Sequence, residues 1–309
     1  MPQLWLPLLC RTLRGGGRAG MLTVMNWSRI LFALLVGAAA WWPPAFASPS
    51  GCDGWRMVDA HSHYSAADAR AFSPESIVAR LDAACVARIV VSGTPAEHAL
   101  ALHAHAPERV IPFLGVYANA AGKALWMHDE TLPERVRARL DDGPWRGIGE
   151  LHLFAHDARS EVFEALVVLA VEHDLVLMIH GDAAVVDRAF EIAPAVRVLW
   201  AHLGTFPVPA LLDRVLRDHT DKALWIDTSV RDERIAPEGV LLAEWRDLFE
   251  RHPQRFVVAV DAFSVNRWGR YGEVVERIRG WTDDLPEALA ANLLWRNAET
   301  LFGPSRDPE

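Results

Sequence analysis

Eight short apolar runs recur along the chain, each bounded by turn residues and separated from the next run by an amphipathic segment. Apolar runs of this length are typical of buried strands, and the segments between them are typical of helices. The predicted strands span residues 55–60, 88–93, 110–117, 146–153, 175–180, 196–202, 223–229 and 255–263. Eight strand–helix units in roughly 250 residues have the size and order of a (β/α)8 TIM barrel, so we predict this α/β fold.

An open, doubly wound sheet also alternates strands and helices, but it carries a glycine-rich phosphate loop after its first strand. Here that position holds His61-Ser62-His63-Tyr64 instead. Hydroxyl residues that precede a proline predict helix starts at Ser73, Thr94 and Thr131. A last helix is predicted over residues 284–302, where it would close against the barrel.

The first 47 residues have a different pattern from the remainder. A short basic start at Met25 precedes an apolar run of 13 residues (30–42) and the sequence Ala45-Phe46-Ala47. This layout predicts a secretory signal peptide cleaved after Ala47, with the true start at Met21 or Met25. A membrane anchor would need about 20 apolar residues, and a lipoprotein at Cys52 is disfavoured by the preceding proline. We therefore expect one periplasmic or secreted catalytic domain over residues 48–309, which meets a membrane only during export.

The charge of the chain is acidic. The whole sequence carries a formal net charge of −9, and residues 1–47 hold four arginines and no acid, so a chain starting at residue 48 carries −13. An acidic surface is poorly suited to a phosphate backbone. We therefore expect a small-molecule substrate and no nucleic acid, while the oligomeric state is left open, a dimer included.

Two cysteines follow the predicted cleavage site, and neither has a zinc-type spacing. Cys52 and Cys85 each precede a predicted strand by three residues, which places both at the amino-terminal face of the barrel. A disulfide between them would suit an oxidising compartment. Two unpaired thiols are an equally good interpretation of the sequence.

Metal-ligand residues stand at the carboxyl ends of five predicted strands, where barrel enzymes carry their active sites. They are His61, His63, Glu150, His180, His202 and Asp261. Four imidazoles and two carboxylates in one pocket would be costly to bury without a partner. The set therefore predicts one or two divalent cations, zinc first, with manganese, iron, nickel or cobalt as alternatives.

These residues resemble the motifs of the metal-dependent amidohydrolase superfamily, over essentially the whole chain from residue 58 to 302. Four features match: the His-x-His motif, the strand 5 and 6 histidines, the strand 8 aspartate and the closing Asn297–Gly303 segment. Within the superfamily the chain looks most like the amidohydrolase 2 group, and Glu150 brings it near TatD-like hydrolases. It reads Glu150-Leu151-His152 where those continue with Gly-Leu-Asp, so their nuclease activity is not carried over.

The resemblance implies one metal held by His61, His63 and Asp261, a second held by His180 and His202, and Glu150 as the bridge. It also implies that Asp261 is the catalytic base, which takes a proton from water and passes it to the leaving group. The expected reaction is hydrolysis of an amide, ester, lactone or phosphoester bond in a small molecule.

Two other functions fit the same residues. In a single-metal site His61, His63, His180 and Asp261 would hold one ion, and His202 would orient substrate or water. Glu150 would then only support the ligands, and such sites also decarboxylate unsaturated or aromatic acids without oxidation. A catalytically inactive barrel that acts as a binding protein is the third candidate.

Several further polar residues near the strand ends are weaker candidates. Asp59 would share a face with His61 and could fix the tautomer of a ligand histidine, or it could tie strand 1 to its neighbours. His152 and Asp227 would contact substrate or support ligands. Arg231 and Arg267, in loops after strands 7 and 8, could bind a carboxylate or phosphate of the substrate or simply be solvated.

Overall fold

The computed structural model describes Cys52 and residues 54–303. The predicted signal peptide, its cleavage after Ala47 and the alternative starts at Met21 and Met25 lie outside the described residues. Within the described part of the chain, no helix combines the length and the apolar character that a bilayer span requires.

Eight parallel strands form one sheet in the order in which they occur in the sequence. They are β1 (Met57–Ser65), β2 (Val86–Thr94), β3 (Val110–Leu114), β4 (Gly147–His152), β5 (Val176–His180), β6 (Arg197–Trp200), β7 (Ala223–Asp227) and β8 (Phe256–Val257). Helices alternate with the strands around this sheet, which confirms the predicted (β/α)8 barrel.

The described part of the chain contains thirteen α-helical segments. They are α1 (Ala66–Ala71), α2 (Pro74–Ala83), α3 (Glu97–His105), α4 (Leu132–Leu140), α5 (Glu161–Glu172), α6 (Ala183–Ile192), α7 (Pro209–Asp218), α8 (Asp232–Ile235), α9 (Ala243–Arg251), α10 (Val265–Gly269), α11 (Tyr271–Asp283), α12 (Glu287–Ala291) and α13 (Asn297–Phe302). A π-helical turn at Asn292–Arg296 joins α12 to α13, so the predicted last helix is interrupted. Short 3₁₀ turns occupy Ala120–Ala124, Trp126–His128, Ala201–Leu203 and Pro237–Gly239.

Two of the three predicted helix starts, Ser73 and Thr131, are N-cap positions, and one of them makes the expected side-chain hydrogen bond. Ser73 accepts a hydrogen bond from the backbone N–H of Ser76, as expected for an N-cap. Thr131 makes no such side-chain bond. Helix α3 begins at Glu97, after Ala96, because Thr94 is the last residue of β2. A hydroxyl before proline is therefore compatible with a strand end as well as with a cap.

The barrel closes between β1 and the segment that follows β8. The ladder strand β8 contains only two residues, whereas the sequence predicted a strand over 255–263. The closing bonds come from extended chain beyond it: Ala60 N–H donates to the carbonyl of Val258, and Asp261 N–H donates to the carbonyl of His61 at 2.7 Å. Asp261 is thus fixed beside His61 by the closure of the barrel.

Apolar side chains fill the barrel interior below its carboxyl end. Val90, Phe113, Val176 and Met178 are fully buried there, and they pack with the apolar face of α13. A larger apolar layer lies between the strands and the surrounding helices. Together these layers make the barrel a packed core with one open polar end.

Three arginines at the amino ends of alternate strands bind the end of α13. Arg88 donates to the carbonyl of Gly303 at 3.0 Å, Arg146 to that of Phe302 at 2.8 Å and Arg197 to that of Leu301 at 2.9 Å. The last carbonyls of a helix have no partner within the helix. The arginine layer (Arg88, Arg146 and Arg197) satisfies these acceptors and places positive charge at the negative end of the helix dipole.

The two cysteines form a disulfide at the same end of the barrel. Cys52 and Cys85 are bonded, with Cα atoms 5.7 Å apart and a sequence separation of 33. Cys85 directly precedes β2, and Cys52 lies just before β1. The bond therefore ties the entry of the first strand to the entry of the second.

Candidate metal centre

A β-bulge in β1 directs the two histidines of the His-x-His motif into the barrel. Asp59 pairs with Ile89 and Ser62 pairs with Val91, so β1 has one residue more than β2 over this interval. The extra residue changes which face the side chains take, as bulges beside active sites often do. Ala60 belongs to the barrel interior, and the bulge lets His61 and His63 face it as well, with their Nε2 atoms 3.2 Å apart.

The same bulge corrects the predicted role of Asp59. Regular alternation placed Asp59 on the face of His61, but the carboxylate lies on the other side and accepts the hydroxyl proton of Tyr271 in α11 at 2.9 Å. Its other oxygen accepts the backbone N–H groups of His61 and Val260. Asp59 therefore holds the bulge and the closing segment together, and it does not contact the imidazole of His61.

A second bulge, in β4, directs Glu150 to the centre of the site. Ile148 pairs with Leu177 and Leu151 with Ile179, so β4 also carries one extra residue. Gly149 stands in this bulge with φ of +134°, a backbone conformation that residues with a Cβ rarely adopt. The carboxylate of Glu150 is almost fully buried and is directed towards the histidines.

Glu150 lies between two pairs of histidine nitrogens. Its Oε1 is 2.8 Å from Nδ1 of His180 and 2.9 Å from Nε2 of His202. Its Oε2 is 3.5 Å from Nε2 of His63, and Oε1 is 3.7 Å from Nε2 of His61. One carboxylate thus reaches the donor atoms of strands 1, 5 and 6, which is the position that a bridging ligand requires.

His202 and Asp261 take backbone conformations that are unusual for their residue types. Their φ angles are +63° and +53°, in the left-handed region. Each such residue costs on the order of 1–3 kcal/mol, and such residues concentrate at functional sites. Each is held by a hydrogen bond from its own N–H: His202 donates to Asp227 at 3.0 Å, and Asp261 donates to the carbonyl of His61.

Asp227, the last residue of β7, and Ser229, just beyond it, orient two of the imidazoles. Nδ1 of His61 lies 3.0 Å from Oδ2 of Asp227, so it carries the proton and leaves Nε2 free as a donor to a cation. The hydroxyl of Ser229 donates to Oδ1 of Asp227 and accepts from Nδ1 of His202 at 2.8 Å. Nδ1 of His202 is thus engaged by Ser229, and Nε2, which is directed at Glu150, is the nitrogen available to a cation. Asp227, and not Asp59, is therefore the carboxylate that fixes the tautomer of a candidate ligand histidine.

The electrostatics of the site favour a cation. Burial lowers the pKa of His61, but the negative charges of three surrounding carboxylates outweigh it and raise the value to about 10. Those carboxylates belong to Asp227, Glu150 and Asp261. Burial raises the pKa of Asp261, and the charge of His61 together with its other histidine neighbours lowers it to about 2. Oδ1 of Asp261 is buried 3.2 Å from Nε2 of His63, and no described residue donates a well-aligned hydrogen bond to it.

The donor atoms fit a divalent metal ion. Two nitrogens bound to one tetrahedral zinc ion lie about 3.3 Å apart, since each Zn–N bond is about 2.0 Å long. The Nε2 atoms of His61 and His63 are 3.2 Å apart, close to that separation. His61, His63 and Glu150 form one cluster of ligand atoms that could hold a metal. Oδ1 of Asp261 lies 3.2 Å from Nε2 of His63 and extends this cluster.

Two further clusters of ligand atoms in the described residues include other side chains. One joins His61 and His202 with Asp227. The carboxylate of Asp227 already accepts hydrogen bonds from Nδ1 of His61 and from the backbone N–H of His202. The other joins Glu150 and His180 with His152. The ring of His152 stacks on that of His180 at 4.3 Å, and its Nε2 is 3.3 Å from Oε2 of Glu150.

His152 has polar neighbours that argue against a role as a metal ligand. Nζ of Lys123 lies 3.3 Å from its Nε2, and an ammonium group can only donate, so that nitrogen is the acceptor. The hydroxyl of Tyr117 accepts the backbone N–H of His152 at 2.7 Å and lies 3.3 Å from Nδ1. Burial is the largest cause that lowers the pKa of His152 to about 3, so the ring stays neutral. The sequence prediction missed both Lys123 and Tyr117, which follow β3.

The two arginines for which the sequence left substrate binding or a solvated loop open both bind backbone carbonyls. Arg231 donates to the carbonyl of His202 at 2.9 Å and, more weakly, to that of Gly204. Arg267 donates to the carbonyl of Val260 through two nitrogens, at 2.7 and 3.2 Å. Each arginine therefore holds the backbone of a segment that carries a candidate ligand, and these are the contacts that the structure shows for it.

A family model described as TatD related DNase matches residues 58–197. This match includes the His-x-His motif, Glu150 and His180, and it ends before His202 and Asp261. No curated protein matches the chain.

Several solved structures have the same fold. A probable 2-pyrone-4,6-dicarboxylic acid hydrolase from Acinetobacter baumannii, solved with citric acid bound, matches with a TM-score of 0.56 and 15% identity over 81% of this chain and 100% of its own. An amidohydrolase from Burkholderia multivorans with bound zinc has a TM-score of 0.51 and 16% identity, with the same coverage. The phosphotriesterase homology protein from Escherichia coli, complexed with phosphate, has a TM-score of 0.58 and 12% identity over 80% of this chain and 98% of its own.

At these identities the structural matches establish the fold, and the family match adds the sequence motifs of strands 1, 4 and 5. Both lead to the same group of proteins. The predicted resemblance is confirmed: in its fold and its family match, this chain is similar to the metal-dependent hydrolases of the amidohydrolase superfamily.

Proposed function

We propose that this protein uses two divalent metal ions, zinc in the first place, to hydrolyse an amide, ester, lactone or phosphoester bond of a small molecule. The observation that carries the proposal is the position of Glu150, whose two oxygens lie within 3.7 Å of nitrogens from His61, His63, His180 and His202. Four histidines suit zinc, and a similar structure contains it.

When bound, a metal ion would lower the pKa of a coordinated water and polarise the bond to be cleaved. His61, His63 and Asp261 would hold one ion and His180 and His202 the other, with Glu150 between them. Asp261 is the group placed to accept the proton of the attacking water, because its Oδ1 is buried and no described residue donates a well-aligned hydrogen bond to it. The same carboxyl group would then deliver that proton to the leaving group.

The test is a panel of esters, lactones, amides and phosphoesters assayed with the zinc-loaded protein and with Asp261→Asn. We expect kcat of the variant to fall by about 10²–10⁴-fold, the usual contribution of a positioned base. Asp221→Asn, a change at an exposed aspartate, is the control and should keep full activity. Undiminished hydrolysis by Asp261→Asn would contradict the assigned base. A DNA substrate belongs in the panel, since its cleavage would contradict the expectation that nucleic acid is not the substrate.

Elemental analysis tests the number of metal ions. We expect two ions per chain after purification with excess zinc, because Glu150 contacts both groups of histidines. One ion per chain would instead favour the single-metal site, in which Glu150 only supports the ligands.

We also propose that the protein is exported. The disulfide between Cys52 and Cys85 supports this, because such bonds persist in oxidising compartments. Mass spectrometry of the protein from a periplasmic fraction should show a chain that begins at residue 48. A full-length chain found only in the cytoplasm would contradict export.

A further inference from the structure

The cation beside the candidate metal centre is a lysine, in a chain that contains very few. Lys123 and Lys222 are the two lysines in the sequence, among 31 basic residues. Lys222 pairs with the adjacent Asp221 at 2.8 Å, at the amino end of β7. Lys123 lies in the 3₁₀ turn after β3, on the side of the barrel where the strands end.

Lys123 has no anionic partner within the part of the chain that the structure describes. Lys123 is a half-buried residue, and its Nζ contacts Nε2 of His152, which accepts from one of its three N–H donors. Ammonium groups near a protein surface usually find water or a carboxylate. Here the carboxylate of Glu150 reaches the same nitrogen of His152 but forms no ion pair with Lys123, and its oxygens also lie beside the metal-ligand histidines.

The ammonium group of Lys123 and the carboxylate of Glu150 both lie beside one atom, Nε2 of His152. Nε2 of His152 is 3.3 Å from Nζ of Lys123 and 3.3 Å from Oε2 of Glu150. A small molecule whose cleavable bond lies at the metal centre would therefore bring its next few atoms to Lys123. A negatively charged group at that place would find two free N–H donors and a full positive charge.

We propose that the substrate carries a carboxylate or phosphate group a few bonds from the cleavable bond, and that Lys123 binds this group. This inference rests on the proposed hydrolase function and specifies its substrate class. Arg231 and Arg267, the other cations considered for this task, donate to backbone carbonyls. Lys123 is in this view a specificity-determining residue.

A binding experiment tests the inference independently of turnover. Glutarate and inorganic phosphate are titrated by calorimetry into the zinc-loaded wild type, Lys123→Met and Lys222→Met, after metal content and melting temperature are shown to be equal. We expect Lys123→Met to lose about tenfold to a hundredfold in affinity for one of the two anions, the usual value of a hydrogen bond to a charged group. Lys222→Met should bind like the wild type, and Lys123→Arg should restore much of the affinity. The anion that responds identifies the carboxylate or the phosphate as the recognised group.

A kinetic comparison uses the mono-4-nitrophenyl ester of glutarate and the neutral 4-nitrophenyl pentanoate. Lys123→Met should raise KM for the anionic ester and leave the neutral ester unchanged. Equal anion binding in the wild type and Lys123→Met, or no binding by the wild type, would overturn the inference. Failure of the wild type to cleave either ester would count against the hydrolase function for esters, while the titration would still decide the role of Lys123.

Discussion

The two ends of the barrel differ in how their charged side chains are partnered. At the amino end, the arginine layer binds the last carbonyls of α13, and the disulfide ties β1 to β2. At the carboxyl end, three buried carboxylates are crowded against four histidines, two residues have left-handed backbone, and no described residue donates a well-aligned hydrogen bond to Oδ1 of Asp261. The first arrangement uses charge to complete the fold. The second accumulates charge and strain, which a bound cation and a substrate can relieve.

Removal of metal should have the largest effect on the carboxyl end. Because the metal binds only the folded chain, saturation at about 1,000 times Kd stabilises that chain by about 4 kcal/mol. We expect thermal unfolding with excess zinc to occur at a clearly higher temperature than unfolding with a chelator, and hydrolysis to be absent from the chelated protein. Equal melting temperatures in the two conditions would mean that the carboxylates hold no metal.

Loss of the disulfide should have a similar effect on stability and none on the site. A closed loop of 33 residues contributes about 3–4 kcal/mol through the entropy of the unfolded chain. The double variant Cys52→Ser, Cys85→Ser should therefore unfold at lower urea concentration while it retains kcat and metal content. A fall in kcat at a temperature where this variant is fully folded would mean that the two ends are not independent.

Asp227→Asn should weaken the metal centre without loss of the fold. The amide can no longer accept the proton of His61 Nδ1 and the N–H of His202 in the same way, so both imidazoles lose their fixed orientation. Changes to such supporting groups usually cost 10–100-fold in metal affinity, and competition with a chromogenic chelator measures this. The matched variant Asp232→Asn, at a buried aspartate outside the site, should keep the wild-type affinity. Equal metal affinity in Asp227→Asn and the wild type would remove Asp227 from the site.

Arg197→Met should give the smallest effect, confined to stability. The guanidinium group donates to the carbonyls of Leu301 and Asp174, and hydrogen bonds to charged groups contribute about 1.5–3 kcal/mol. Partial exposure of the side chain places the expected loss near 1–2 kcal/mol. Urea unfolding measures it, and kcat should not change. A loss of metal from this variant would show that the arginine layer supports the carboxyl end as well.

The sequence predicted the barrel and the convergence of the candidate ligand residues because both depend on local pattern. Apolar runs separated by amphipathic segments specify strands and helices, and the carboxyl ends of parallel strands meet at one face, which brings together residues as distant as His61 and Asp261. The observed distances between Glu150 and the histidines agree with that reasoning.

The errors of the sequence-based interpretation came from departures from regular geometry. Simple alternation put Asp59 on the face of His61, and a bulge of one residue reversed this. The partners of Arg231 and Arg267 are backbone carbonyls, which no residue pattern reveals. Lys123 could have been noticed as one of two lysines, but only the fold of the chain after β3 shows which histidine it contacts.

The closing seam of the barrel has a consequence for how the protein matures. Asp261 enters the site only when its N–H binds the carbonyl of His61, in the same step that joins the last strand to the first. A chain that has folded through β6 can bring five of the six candidate ligands together but lacks the base. Acquisition of the complete centre therefore reports that the whole barrel has closed, and incompletely synthesised chains should be inert.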